Sequence, residues 1–416
     1  MRAFPSASRN EALSQAEATA NDSLIQKAKR HLLQNYKQQP LALVRGQGTR
    51  VWDADGRAYL DCIGGIAVCA LGHCHPEVTA AAKAQLDTLW HVSNAFYSQP
   101  QIDLAAMLTE FAGLPRVFFC NSGAEANEAL LKLARKVMKD RGTPERFEVI
   151  SFEKSFHGRT LATVTATGQA KYHAGFEPLP AGFRHVPYGD LEAVRRAVGP
   201  STAAILVEPI QGEGGVRVAP QGFLAELRAL CDAHGLLLLV DEIQTGMGRT
   251  GKPFAFMHEG IQPDAISVAK ALGNGLPIGA MLCKEALAPS LAPGTHGTTF
   301  GGNLVAAAAA QVVVRTLREP SMLQSVAEKG EYFLARARAL QARLPAGRIQ
   351  AVRGRGLLMG VDVGQESGPI IARLRAEGLL VNAAGETTVR FAPPFIITHA
   401  ELDEALGILE RVLAAL

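Results

Sequence analysis

Leu237-Leu238-Leu239-Val240-Asp241-Glu242 reads as an apolar β-strand that ends in two carboxylates. Four consecutive apolar residues leave no side of the strand for water, so both faces must be covered, as in a parallel sheet. Comparable runs recur at Arg116–Cys120, Glu148–Phe152, Ala203–Val207 and Ala265–Val268, with this one extending from Leu236 to Val240. Among them lie stretches with helical periodicity at Glu77–Leu89, Ile102–Phe111 and Glu125–Lys139. Short apolar runs alternating with helices predict an α/β fold with a mainly parallel central sheet.

Working outward, Val51 to Asp61 reads as two strands around the Asp55-Gly56 turn. A short helix is expected over Leu24–Gln34, preceded by a mobile N-terminal arm over residues 1–22. Pro76 is placed to open a helix. The C-terminal part contains a long helix (Ser321–Arg343), a β-rich stretch from Gly354 to Val363, a helix near Ile370–Glu377 and a strand near Val389–Phe391. The expected division is a large domain over 76–315 and a small α/β domain built from both chain ends, 23–75 and 316–416.

Composition removes several function classes. The 42 basic and 39 acidic side chains give a net charge of +3, without the basic excess of a dedicated nucleic-acid binder. An apolar fraction of 48% supplies a large core, which a disordered chain would lack. Leu304–Val314, one of the longest apolar stretches, falls short of the ~20 residues of a membrane span. The six cysteines are too scattered for a disulfide framework. His73-Cys74-His75 lacks the further ligands of a metal site, and no metal is expected. A soluble cytoplasmic enzyme is the expectation, since the acidic residues Glu11, Glu17 and Asp22 disfavour a transit peptide.

Gly246-Met247-Gly248-Arg249-Thr250-Gly251 spells a dinucleotide fingerprint but lacks its context. The glycines should turn a strand directly into a helix, whereas four residues separate them from Asp241 and Pro253 follows. Lys252-Pro253 likewise denies a P-loop its Ser or Thr.

Three other elements fit one chemistry. Asn121-Ser122-Gly123-Ala124-Glu125 joins a strand to a helix, where small residues and free N–H groups can cradle an anion. Ser122 with Glu125 also suits an ordinary capped helix. Asp241, at a strand's carboxyl end, is placed to pair with a cationic heterocycle nitrogen. Lys270 emerges from Ser267-Val268-Ala269 into the turn Ala271-Leu272-Gly273-Asn274-Gly275, where burial would make it a nucleophile. Amine, carboxylate and anion cradle are what a pyridoxal phosphate site needs.

Six motifs carry a resemblance. They are Asn121-Ser122-Gly123-Ala124-Glu125-Ala126-Asn127, Phe156-His157-Gly158-Arg159-Thr160, Glu208-Pro209-Ile210-Gln211-Gly212-Glu213-Gly214-Gly215, Asp241-Glu242-Ile243-Gln244-Thr245-Gly246, Ala269-Lys270-Ala271-Leu272-Gly273 and His296-Gly297-Thr298-Thr299-Phe300-Gly301-Gly302-Asn303. In order and spacing the chain resembles the class III (subgroup II) aminotransferases, and within them the acetylornithine aminotransferases of arginine biosynthesis. The resemblance implies fold type I, pyridoxal 5′-phosphate as cofactor and a homodimer with its active sites at the subunit interface. It also implies transfer of the terminal amino group of N2-acetylornithine to 2-oxoglutarate, ping-pong through pyridoxamine phosphate.

Residue by residue, the resemblance makes Lys270 the covalent attachment point and proton shuttle. It gives Asp241 the pyridine nitrogen, Gln244 the ring's phenolic oxygen and Phe156 the ring face. Ser122, Gly123 and Ala124 would form the phosphate turn, with Thr299, or less directly Thr298, reaching the phosphate from the partner subunit. Arg159 would hold a substrate carboxylate, and Glu213 would pair with Arg390 or release it for 2-oxoglutarate. The chain departs from many acetylornithine enzymes at Asn274, often Gly, and at Ala124, often Thr. Competing expectations are another ω-amine donor (succinylornithine, ornithine, 4-aminobutyrate or N-succinyl-diaminopimelate), an aminomutase or decarboxylase, and a nicotinamide dehydrogenase.

Overall fold

The computed structural model describes residues 19–416. The expected arm lies outside the described residues over 1–18, and a helix begins at Ala20. That helix, Ala20–His31, has no buried residue, so end chemistry rather than an apolar face sets its limits. Thr19 accepts a hydrogen bond from the Asp22 N–H, and Lys29, Arg30 and His31 occupy the last turn, where the helix dipole favours positive charge. Reading the apolar residues alone placed it several residues too late, at Leu24–Gln34.

The central sheet has seven strands in the order Arg116–Cys120, Gly279–Cys283, Ala265–Val268, Leu237–Asp241, Thr202–Val207, Glu148–Phe152, Phe183–Val186. All pairings are parallel except those of Gly279–Cys283, which runs antiparallel to both neighbours. Its connection back to Val268 is too short for the helical crossover that a parallel neighbour requires. Side chains alternate across the sheet as the pleat demands. Leu237 and Leu239 share one core with Leu130, Leu133 and Val137 of the helix Gly123–Asp140. Leu238 and Val240 share the opposite core with Phe223 and Leu227 of the helix Phe223–His234. Two-sided burial therefore explains the uninterrupted apolar strands.

Two further four-stranded sheets flank this one in sequence. In the first, Leu43–Gln47, Arg50–Asp53 and Ala58–Asp61 form a meander. Leu379–Leu380 adds to it in parallel, Leu379 facing Leu60, and so ties the two chain ends together. The second holds Ala351–Arg355, Leu358–Asp362, Thr388–Phe391 and Asn382–Ala384, all antiparallel. The apolar stretch beginning at Leu304 is a helix, Leu304–Arg318, whose first N–H groups are capped by the Asn303 side chain. Among the described residues no helix is long and apolar enough to cross a membrane.

Candidate active site

The carboxyl ends of the central strands open on a cavity of ≈ 420 Å³. Its wall includes Ser122, Gly123, Ala124, Phe156, Arg159, Asp241, Gln244 and Lys270, so the sequence-predicted set converges apart from four residues. Those four are Glu213, Arg390, Thr298 and Thr299.

Asp241 is the last residue of its strand and is buried. Its Oδ2 accepts from Asn127 Nδ2 and from His157 Nδ1, both at 2.8 Å, and its Oδ1 accepts from the Ile243 N–H at 3.0 Å. A carboxylate can only accept, so His157 carries its proton on Nδ1. Three donors hold the carboxylate in one orientation at the cavity floor. Asn127 also donates to the His157 carbonyl, which locks the two supporting side chains to each other.

Lys270 opens a 3₁₀ turn directly after Ala265–Val268 and takes a left-handed backbone conformation, φ 47°. Such a backbone is costly for a residue with a side chain and is held by its surroundings. Among the described residues its amine has no hydrogen-bond partner, although it lines the cavity. Burial pushes its pKa below the ordinary lysine value, and Arg390 adds to that push against Glu213, Asp241 and Glu208. Asn274, also left-handed, accepts from the Leu71 N–H at 2.8 Å and donates to the Gly72 carbonyl at 3.1 Å. The turn after Lys270 is thereby clamped to the N-terminal part of the chain.

Opposite lies the start of the helix Gly123–Asp140. Ser122 caps it through a hydrogen bond from the Glu125 N–H, and Glu125 accepts in return from the Asn121 N–H. Capped helix and anion cradle coexist. Among the described residues the N–H groups of Gly123 and Ala124 have no partner, so both remain free for an anion. Phe156 lines the cavity, with the Arg159 guanidinium 5.5 Å from its ring and 4.0 Å from that of Tyr172.

Arg390 is fully buried, not a surface cation. It donates to Glu213 Oε1 at 2.6 Å and to Gln244 Oε1 at 2.9 Å, linking the pair to the cavity wall. Burial alone would raise the Glu213 pKa, but the charges of Arg390 and Lys270 outweigh it and hold the carboxyl below its ordinary value. Thr298 accepts from Asn121 Nδ2 at 3.1 Å, beside the anion turn, yet neither it nor Thr299 lines this cavity.

Sequence reading assigned no role to Asn127, His157 or Glu208. Glu208 lines the cavity and accepts from the Phe156 N–H at 3.0 Å. Its burial, and then the charge of Asp241, push its pKa well above the usual carboxylate range. Asn127 was detectable as a polar residue on the buried face of its helix, one turn beyond Gly123.

The protein-family model Aminotransferase class-III matches residues 32–413. The chain is a class-III aminotransferase. Its cofactor is pyridoxal 5′-phosphate, and the residues present fit it: an unpartnered lysine amine, a triply anchored carboxylate and two free N–H groups face one cavity. The chain is 78% identical over 391 residues to the acetylornithine aminotransferase of Myxococcus xanthus, covering 94% of this chain and 98% of that one. It is 45% identical to that of Methanocaldococcus jannaschii, with coverage of 94% and 98%. Among solved structures it superposes on ornithine aminotransferase from Toxoplasma gondii with a TM-score of 0.92 at 33% identity, covering 96% and 95% of the chains. The N-acetylornithine aminotransferase of Stenotrophomonas maltophilia matches with a TM-score of 0.81 at 38% identity, covering 94% and 98%. As an aminotransferase the enzyme acts on an amino donor and a keto acid.

Proposed function

We propose that this enzyme moves the terminal amino group of N2-acetylornithine to 2-oxoglutarate, giving N-acetylglutamate semialdehyde and glutamate, in the cytoplasmic synthesis of arginine. The 78% identity to the Myxococcus xanthus acetylornithine aminotransferase carries the choice of donor.

When bound, the cofactor supplies an electron sink for the charge left on carbon as a proton departs beside the nitrogen. Lys270 would hold the cofactor through its Nζ, and the same amine, once free, is the group placed to move that proton. A pKa lowered by burial leaves the amine neutral more often at working pH, as a base requires. Asp241 would face the pyridine nitrogen and favour its protonated form, so that the ring can act as the sink. The Asn127 and His157 bonds keep Asp241 aimed. Gln244 would meet the phenolic oxygen, Phe156 would pack on the ring, and Ser122, Gly123 and Ala124 would receive the phosphate.

Arg159 orients a substrate carboxylate through its planar fork. Glu213 neutralises Arg390 while the donor, whose far end carries no second carboxylate near it, occupies the site. For 2-oxoglutarate the pair opens and Arg390 takes the second carboxylate. Residues 23–75 and 316–416 form the small domain and 76–315 the large one, a division supported by the parallel pairing of Leu379–Leu380 with Ala58–Asp61.

The working unit is a homodimer. Trp90, Phe96, Tyr97 and Phe300 are exposed aromatics, and the Asn303 amide donates to the Trp90 carbonyl, so they belong to adjoining segments. Such a patch favours burial against a second copy. The same segment carries the exposed Thr299, which would then reach the partner's phosphate, with Thr298 the lesser contributor.

A donor competition assay tests the reading. With 2-oxoglutarate fixed, kcat/KM for N2-acetylornithine should exceed those for ornithine, succinylornithine and 4-aminobutyrate. Ornithine turning over faster would favour the reading suggested by the Toxoplasma gondii superposition.

A further inference from the structure

A second cavity, ≈ 410 Å³, adjoins the Glu213–Arg390 pair and is not lined by Lys270. Glu213 lines this second cavity, whereas Gln244, the other acceptor of Arg390, lines the first. The pair is unequal in its room to move. The Arg390 side chain is 0% exposed, whereas that of Glu213 is 24% exposed. Glu213 is therefore the partner free to turn. Its backbone is pinned, since its carbonyl accepts from the Gly385 N–H at 2.8 Å, so rotation of the side chain alone would carry the carboxylate into the second cavity.

That cavity is cationic. Lys154, Lys171 and Arg217 line it, and among the described residues none has a carboxylate partner. Glu386 is the opposing unpaired acid, and Asp362 is already bound to Arg353 at 3.0 Å. Arg217 is held beside the pair, because its Nε donates to the carbonyl of Gly214, one residue from Glu213, at 3.0 Å. This leaves its two terminal nitrogens available. Lys154 adjoins the same loop, its carbonyl lying where a side chain on Gly214 would have to sit. On the other side, Arg390 Nη2 is buried without a partner, so a carboxylate that replaced Glu213 would find a second donor waiting.

We propose that the second cavity is the receiving site for the Glu213 carboxylate when it leaves Arg390, with Arg217 and Lys154 holding it there. The inference rests on the reading of Glu213 and Arg390 as a substrate-dependent pair. Arg217 and Lys154 are then specificity-determining residues that never touch substrate: they stabilise the open arrangement, which admits a dicarboxylate, and leave the closed one alone. A ligand that binds only one of two arrangements loses affinity when that arrangement is made rarer.

The test titrates holoenzyme calorimetrically with glutarate, a dicarboxylate of the acceptor's length, and with pentanoate, its counterpart with an uncharged end. Arg217→Gln combined with Lys154→Gln should weaken glutarate by about tenfold, the worth of one charge-assisted hydrogen bond, and leave pentanoate unchanged. Both side chains are exposed and outside ion pairs, so the variant keeps its fold, checked by its melting temperature. In a Glu213→Gln background the same two substitutions should have almost no further effect, because no carboxylate is left to receive. Undiminished glutarate binding in the double variant would overturn the proposal. So would an equal loss in the Glu213→Gln background, since the cations would then be acting on the ligand directly. If Glu213→Gln alone left the glutarate-to-pentanoate ratio unchanged, the substrate-dependent pair itself would fall, an outcome distinct from the other two.

Discussion

Lys270 combines an unpartnered amine with a left-handed backbone, and both features cost stability in the folded chain. Lys270→Met should therefore raise the melting temperature of the cofactor-free protein while lowering kcat by ~10²–10⁴, the range for loss of a positioned acid–base group. A melting temperature that fell would show the amine to be better satisfied than its surroundings suggest. Asp241→Asn keeps the shape but removes the charge, and a loss of ~10²–10³ in kcat is expected, as for other electrostatic groups in dry sites. Steady-state kinetics on holoenzyme measure it. Lys270 and Asp241 were legible because each breaks or ends an apolar run. The anchors of Asp241 were less so: Asn127 is marked only as a polar residue on a buried helix face, and His157 reaches the carboxylate from a distant stretch of chain with no local mark. Arg390 likewise sits between Val389 and Phe391 in a short strand, where nothing in the sequence separates a buried arginine from an exposed one.

At the scale of elements, the strands that read most clearly are those buried on both faces. Arg116–Cys120, Glu148–Phe152 and Ala265–Val268 have the limits that their apolar runs predict. Gly279–Cys283 escaped notice because it breaks the alternation with helices, entering the sheet antiparallel after a short turn. The segment that clamps the Lys270 turn is itself held by charge. His73 Nε2 lies 2.7 Å from Asp61 Oδ2, and that hydrogen bond, followed by one to Cys69, raises the His73 pKa from 6.5 to about 10 against the effect of burial. A folded pKa above the unfolded one stabilises fully below pH 6.5 and is lost as pH rises through about 10. The melting-temperature gap between the enzyme and His73→Gln should be widest at pH 6.5 or below and should close above about 10. A gap that does not vary with pH would mean the ion pair is not what holds the segment. The cap at Ser122 is a smaller contributor. Ser122→Ala should cost about 1 kcal/mol in chemical denaturation, the usual worth of a helix cap.

For the whole molecule, one of the small sheets draws on both chain ends, and the parallel pairing at Leu379 and Leu60 joins them. A small domain drawn from both chain ends is expected from the sequence, but the strand that joins them, Leu379–Leu380, is not, because a two-residue strand carries no periodicity. The exposed aromatics around Trp90 and Phe300 give the proposed dimer a direct test. Tyr97→Glu with Phe300→Glu should halve the mass seen by light scattering and weaken cofactor retention, since Thr299 would no longer reach a partner. Exchange of amino groups between N2-acetylornithine and 2-oxoglutarate is the work we propose for one cavity, built on Lys270 and Asp241. It is tested most directly by following the absorbance of the yellow holoenzyme while N2-acetylornithine is added without keto acid. Loss of the yellow band is expected, and its return when 2-oxoglutarate is supplied. A holoenzyme that stays yellow through the addition would contradict it.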